Sequence, residues 1–198
     1  MIRAVFFDVG GVLKSGYRNA CEQFARKICN SIEEYEVFEE QYFPELETGT
    51  RSRRAFFSLL SKRFSFSIED LEKEWKKAYL ETFIENTETR TFALNLKPKY
   101  IVGIISDVTT LIIDYNYEKG VYEGFDPVIL SAETGFVKPQ REIFDEANKR
   151  SKTTPAECIF IDDKPPLIEK AREYGFHGIL YQNPTQLREE FNKIITFS

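Results

Sequence analysis

The chain is expected to be an α/β protein, a doubly wound, Rossmann-like parallel sheet with an α-helical subdomain inserted after its first strand. Three observations predict this. Five short apolar runs lack the polar–apolar alternation of a half-exposed strand, as strands buried on both faces do. Helical segments separate the later runs, the pattern of βαβ units in a parallel sheet. Between the first run and the second lie about 90 residues with helical periodicity and no strand-like segment.

Taken in order, the first strand is Ala4-Val5-Phe6-Phe7. Helical periodicity follows over 17–30, 32–43, 52–63 and 68–83. In the last of these, Ile68, Leu71, Trp75, Tyr79 and Phe83 recur at three- and four-residue steps, one face of a helix. Ser67 and Asp70 resemble a capping box with Asp in place of Glu. A helical subdomain is therefore expected over 15–85, and a core built from 1–14 and 86–198. The remaining strands are read at 100–105, 127–130, 158–161 and 178–181, with helices at 142–150, 165–174 and 185–195. Asn183 is the expected N-cap of the last helix and Pro184 its first residue. There is no internal repeat and no low-complexity linker.

A length of 198 residues suits one core domain plus a small insertion. With 42% hydrophobic and 30% charged residues, the composition is that of a globular chain. A net charge of −5 provides no general attraction to nucleic acid or anionic membrane, so neither is expected as a partner. A monomer or weak homodimer is expected. The apolar run before Asp8 is four residues long, short of the roughly 7 to 15 in a secretory signal. No stretch approaches the roughly 20 apolar residues of a membrane helix, and a cytoplasmic location is expected. Cys21 and Cys29 lie eight positions apart in a helical segment, about 12 Å along the axis, beyond disulfide reach. No C-x-x-C spacing supports a thiolate zinc site. The single histidine, His177, precedes an apolar run and is given a structural role, which argues against Ser-His-Asp and Cys-His chemistry.

Four features stand at element ends in a set order. Asp8 ends the first strand and is followed by Gly10 and Gly11. Ligand crevices in open α/β sheets form at the carboxyl ends of strands, and glycines let backbone N–H groups approach an anion closely. Ser106 ends the second strand, where a hydroxyl can donate to a phosphate oxygen. Lys138-Pro139 lies in a turn ahead of a helix, where an ammonium can neutralise phosphate charge. Asp162 and Asp163 end a third strand. Adjacent carboxylates repel and are costly to bury, which a hard cation such as Mg²⁺ resolves. Each feature alone has an ordinary reading as a cap, turn or surface residue.

In this combination the sequence resembles the haloacid dehalogenase superfamily, which is dominated by phosphatases. Its four motifs match Asp8, Ser106, Lys138 and Asp162-Asp163, and Ser131 to Pro139 is close to the third. The helical insertion looks like the family's smaller cap, with Glu47-Thr48-Gly49 and Arg51 like the cap segment that faces the active site. The resemblance spans essentially the whole chain. It implies Asp8 as the nucleophile that forms an aspartyl-phosphate. It implies Mg²⁺ on Asp8, the Gly10 carbonyl and Asp163, with Asp162 direct or through water. Gly11, Ser106, Asp107 and Lys138 would bind phosphate, and Tyr17, Glu47 and Arg51 would contribute to substrate choice. The implied activity is Mg²⁺-dependent hydrolysis of a small phosphorylated metabolite, such as a sugar phosphate.

The chain departs from the family pattern where a second Asp, two residues after the nucleophile, protonates the leaving group and later activates water. Here that residue is Gly10. Some sugar-phosphatase-like members also carry Gly there. Lys14, Tyr17 and Glu47 are the nearest residues to replace it. Asp107 stands where Asn is common, and Leu167 where Asn or Asp is frequent. These departures keep two alternatives open. One is a non-catalytic or weakly active binding protein. The other is a 2-haloacid dehalogenase, whose halide leaves without a proton. Two further classes fit worse. A receiver domain has its acidic pair before the phosphorylated Asp, the reverse of this order, and no G-x-G-x-x-G follows the first strand as dinucleotide binding requires.

Overall fold

A computed structural model describes residues 1–29 and 31–197. The chain runs through β1 (Ala4–Phe7), β2 (Lys14–Ser15), α1 (Tyr17–Ile28), α2 (Ile32–Glu47), α3 (Arg53–Phe64), α4 (Ile68–Thr82) and β3 (Ile84–Glu85). It continues with α5 (Thr87–Asn95), β4 (Ile101–Ser106), α6 (Ile113–Glu118), β5 (Val128–Leu130), α7 (Ser131–Thr134) and α8 (Arg141–Ser151). A 3₁₀ turn (Pro155–Glu157), β6 (Cys158–Asp162), α9 (Pro165–Glu173), β7 (His177–Leu180) and α10 (Pro184–Phe197) complete it. Residue 30, the last of the first expected helix, lies outside the described residues.

Among the described residues, β5, β4, β1, β6 and β7 form one parallel sheet in that spatial order. Its central strand explains the missing alternation. Val5 and Phe7 enter one apolar cluster, Ala4 and Phe6 the other, and all four are fully buried. Both faces of β1 are therefore interior, and no position on it favours a polar side chain.

Register decides what the strand ends bring together. Phe7 pairs with Ile104 on one side and Ile161 on the other. Asp8 follows Phe7, Ser106 lies two residues past Ile104, and Asp162 follows Ile161. Three distant parts of the sequence thus end at one edge of the sheet. The Asp8 N–H donates to Ile161 O at 2.9 Å, which carries the alignment past the last strand residue.

The helices α1–α4 lie between β1 and β4, where the sequence placed them. Leu71, Trp75 and Tyr79 are buried as the periodicity predicts. Phe24 meets the Trp75 ring edge-on at 5.3 Å and Tyr35 at 5.5 Å, a preferred aromatic geometry. The apolar interior of these helices is continuous with that on one face of the sheet. Trp75 Nε1 also donates to Leu111 O across the junction at 3.0 Å. The chain leaves and returns at one place: β2 and β3 pair antiparallel, Lys14 opposite Glu85. Asn86 then ties the return point down, its N–H on Leu13 O and its amide on Val12 O, while its side chain caps α5.

Several boundaries differ from expectation. The second helix was predicted to stop at 43, before Pro44, but α2 reaches Glu47. The Thr48 N–H and hydroxyl both donate to Pro44 O, at 3.1 and 2.8 Å, so the last turn is closed from its C-terminal side. The elements α5, α6, α7, β2 and β3 were not anticipated; most are too short to show a period. At the C-terminal helix, Asn183 Oδ1 accepts the Gln186 N–H at 2.9 Å, as the capping signal predicts. Cys21, Cys29 and Cys158 are free thiols. Nε2 of the His177 ring lies 3.2 Å from the Ala156 carbonyl oxygen. No helix among the described residues is long and apolar enough to cross a membrane.

Candidate active site

Asp8, Ser106 and Asp162 sit at the carboxyl ends of β1, β4 and β6, and the 135–140 turn after α7 brings Lys138 over them. Asp8, Gly10, Gly11, Ser106, Lys138 and Asp163 line one cavity of 350 Å³. Lys138 Nζ lies 2.9 Å from Asp8 Oδ1 and 2.6 Å from Asp162 Oδ2, with all three side chains buried. Burial alone would lower the Lys138 pKa, but the carboxylates of Asp8, Asp162 and Asp107 hold it above the ordinary lysine value. Asp162 is committed at both oxygens, since Oδ1 accepts the Lys164 N–H at 2.8 Å. Ser106 is buried, and its hydroxyl donates to Asp107 O at 3.3 Å.

The acidic residues outnumber the ammonium. Asp8, Asp162 and Asp163 each place a carboxylate oxygen within 4.8 Å of the others. Burial raises the pKa of Asp163 and the nearby Asp8 charge raises it further. Such a set of hard oxygens with surplus negative charge fits a divalent cation like Mg²⁺. The backbone is shaped for it at Gly11. Its φ of +79° is a left-handed conformation, and a Cβ there would stand 2.1 Å from Asp163 Oδ2. Only glycine leaves room for that carboxylate.

Two of the residues expected to choose substrate line the cavity and one does not. Tyr17 lines it, but its hydroxyl is donated to the buried Glu39 at 2.7 Å. Glu47 lines it, and its pKa is raised to about 7 by burial and by Asp107, against the opposing pull of Lys164 and Lys138. Arg51 does not line it: Glu45 pairs with its guanidinium, which stacks on Tyr42 at 4.8 Å. Arg53 and Arg54 are likewise engaged, with Asp114, Glu69 and Glu72. Among the aromatic residues of the helical insertion, Tyr17 and Phe43 line the cavity, and Phe56 and Phe57 are fully buried. Asp107 lines the cavity, while its carboxylate accepts the Lys138 N–H at 2.9 Å and so supports the turn that carries the ammonium.

Lys14 is the notable addition. Among the described residues its ammonium has no carboxylate partner; it lies 5.0 Å from the Tyr79 ring centre and 5.9 Å from that of Phe83. Burial lowers its pKa to about 8, with Asp8 opposing. Sequence reasoning reached Lys14 only by its nearness to Gly10. It missed Thr109 and Asn116, which line the same cavity on loops and a short helix without a pattern to mark them. The buried Thr109 hydroxyl has no hydrogen-bond partner among the described residues. Leu167 is buried and offers no polar atom to Asp163.

Comparison with known proteins agrees with this arrangement. The haloacid dehalogenase-like hydrolase family matches residues 2–175. A D-ribitol-5-phosphate phosphatase of Bacteroides thetaiotaomicron is 25% identical, over 98% of this chain and 99% of its own. A glyceraldehyde 3-phosphate phosphatase of Methanothermobacter thermautotrophicus is 28% identical, over 83% and 78% respectively. A HAD family enzyme of Bacteroides thetaiotaomicron, solved in complex with magnesium and inorganic phosphate, superposes with a TM-score of 0.78 over 92% of this chain and 96% of that one, at 22% identity. The family match covers the strand-end acids, the lysine turn and the helical insertion alike, and the chain belongs to the haloacid dehalogenase-like hydrolases.

Proposed function

We propose that this hydrolase is a Mg²⁺-dependent phosphatase of a small phosphorylated metabolite, a sugar or polyol phosphate in particular, with Asp8 as nucleophile. The observation that carries the reading is Lys138 held between Asp8 and Asp162, with the Asp163 carboxylate clustered beside both acids. Asp8, Asp163 and the Gly10 carbonyl would hold the cation. Both Asp162 oxygens are already engaged, which favours a place behind a metal-bound water. The cation would neutralise phosphoryl charge as it develops.

The protein's own groups do the rest. Lys138 keeps the Asp8 carboxylate in place and presents a positive charge to the phosphoryl oxygens. The Ser106 hydroxyl, turned from the Asp107 carbonyl, would add a donor, and the Asp107 N–H would complete the cradle; the Gly11 N–H, expected to bind phosphate, instead donates to Lys14 O at 2.8 Å. Phosphoryl transfer needs mainly positioning and charge stabilisation, which these supply. We read 15–85 as a cap and 1–14 with 86–198 as the core, because the β2–β3 ladder closes the insertion at its base. The names of the two phosphatase relatives support a sugar- or polyol-phosphate substrate.

The test is phosphate release from a panel of sugar, polyol, acyl and aryl phosphates, with Mg²⁺ or EDTA. Release is expected to require Mg²⁺ and to fall by more than about 10⁴-fold in Asp8→Asn, as loss of a covalent nucleophile does elsewhere. Release that survives in Asp8→Asn would refute the reading.

A further inference from the structure

An alkyl phosphate leaves as an alkoxide, which needs a proton, and the water that then attacks the aspartyl-phosphate must lose one. Gly10 supplies neither, and a Cβ built there meets nothing within 4 Å. Space for an acid at that position is open and unused. We propose that Glu47, on the helical side of the cavity, is the catalytic acid and base of this enzyme; this rests on the phosphatase reading above.

Of the other titratable groups on the cavity wall, Lys164 is exposed, Arg18 pairs with Glu22, and most of the rest are occupied. Lys138 is locked between two carboxylates, and the Asp107 carboxylate holds the Lys138 N–H. The Tyr17 hydroxyl is given to Glu39, and burial pushes its pKa well above the usual value. Asp8 attacks, and Asp163 belongs to the cation. Lys14 is held over two aromatic rings, a contact that favours its charged form. An ammonium that gave its proton in the first step would be a neutral amine able to take one from water in the second, so Lys14 is the competing group, and Lys14→Met is the variant that separates it from Glu47.

Glu47 differs on each count. Among the described residues its carboxyl has no hydrogen-bond or ion-pair partner, and it faces the cavity that Asp8 lines. Burial and the Asp107 carboxylate bring it to about 7, against the opposing charges of Lys164 and Lys138. A carboxyl there can exist in both forms at neutral pH, as an acid that must afterwards act as base requires. Its position is also fixed. Glu47 ends α2, and the chain on either side of it is tied down by Thr110, whose N–H donates to Leu46 O at 3.0 Å and whose hydroxyl donates to Arg51 O at 2.7 Å. Gly49, with φ +73°, lets the chain pass so close to Ala132 O that a Cβ would stand 2.0 Å from it.

The protons balance over the two steps. As an Asp8 oxygen bonds to phosphorus and the phosphorus–alkoxide bond breaks, the Glu47 carboxyl proton passes to the departing oxygen, releasing the alcohol. Water then attacks phosphorus, gives its proton to the Glu47 carboxylate, and the bond to Asp8 breaks. Phosphate leaves, and both carboxyl groups return to their starting forms.

The experiment compares wild type, Glu47→Gln, Lys14→Met and the double variant Gly10→Asp/Glu47→Gln, on an alkyl phosphate and on p-nitrophenyl phosphate, whose leaving group needs little protonation. Glu47→Gln is expected to slow alkyl phosphate turnover about 10²- to 10⁴-fold, the usual worth of a positioned acid–base group. With p-nitrophenyl phosphate it should show a burst of one p-nitrophenol per active site followed by slow turnover, because formation of the aspartyl-phosphate is spared more than its hydrolysis. The fall of the first step above pH 7 should vanish in the variant. Gly10→Asp should restore alkyl phosphate turnover in the Glu47→Gln background, which also shows that the protein is folded. Equal losses on both substrates with an unchanged pH profile would overturn the assignment, as would loss of alkyl specificity in Lys14→Met rather than Glu47→Gln. A wild type without Asp8-dependent release would overturn the phosphatase reading and this inference with it; active wild type and equally active Glu47→Gln would overturn the inference alone.

Discussion

On the sheet side of the cavity, Lys138 has two carboxylates within 2.9 Å and a third on its own amide. On the helical side, Glu47 has no hydrogen-bond or ion-pair partner among the described residues, and Arg51, four residues on, has turned away to Glu45 and Tyr42. The first arrangement is over-determined: parallel strands end together, and buried charges must find one another or pay several kcal/mol each in desolvation. The second leaves side chains free to meet a ligand. The contrast teaches that strand register pairs the charges at the sheet's edge, while a helix end can carry a carboxyl into the same cavity without a charge of opposite sign fixed on it.

The largest test of that contrast is Lys138→Met. It leaves two buried carboxylates without their ammonium, and a loss of about 3–5 kcal/mol is expected from urea unfolding. Arg51→Met, which breaks an exposed pair, should cost no more than about 1 kcal/mol. Equal costs would erase the distinction between the two sides. Next comes the joint between them. Trp75→Phe removes the donor to the buried Leu111 carbonyl and should cost about 1–3 kcal/mol in thermal or urea unfolding. A smaller effect on stability is expected for Gly11→Ala, about 1–2 kcal/mol for the left-handed backbone. That substitution should also raise the Mg²⁺ concentration needed for half-maximal activity, because the new methyl displaces Asp163.

The smallest effect concerns pH. The folded-state pKa of Glu47, about 7, lies above its usual 4.5. The folded protein therefore holds this proton more tightly than the unfolded chain. Its contribution to stability is complete below 4.5 and is lost as pH rises through about 7. Metal-free protein should lose stability over that interval, and Glu47→Gln should flatten the slope in denaturant titrations at a series of pH values. An unchanged slope would show that Glu47 is not held in the environment described.

Much of this was legible in the residues. The apolar runs without alternation located the five strands of the sheet, and the step pattern from Ile68 to Phe83 located α4. Asp8, Ser106, Lys138, Asp162 and Asp163 were found in the sequence because each stands at the end of a run or in a marked turn; Asp8, Ser106, Lys138 and Asp163 line one cavity, and Asp162 is buried behind it against Lys138. Arg51 was expected to help choose substrate, and the structure turns it away from the cavity. A basic residue near a glycine does not reveal which acid will capture it. Thr109 and Asn116 were missed because loops and a six-residue helix have no periodicity to read.

By itself, then, the sequence determined the strand–helix order, the buried character of the sheet and the types of group at its carboxyl edge, since these follow from local pattern and from where a chain emerges from a strand. The tertiary structure alone decided which charges pair and which stay free. Lys138 could have met any acid; register and the turn place it on Asp8 and Asp162. Glu47 is one of many glutamates in the chain. It becomes a half-buried, unpaired carboxyl because α2 extends past Pro44 and is pinned to the core at Thr110, and burial without a partner is a property of packing rather than of residue type.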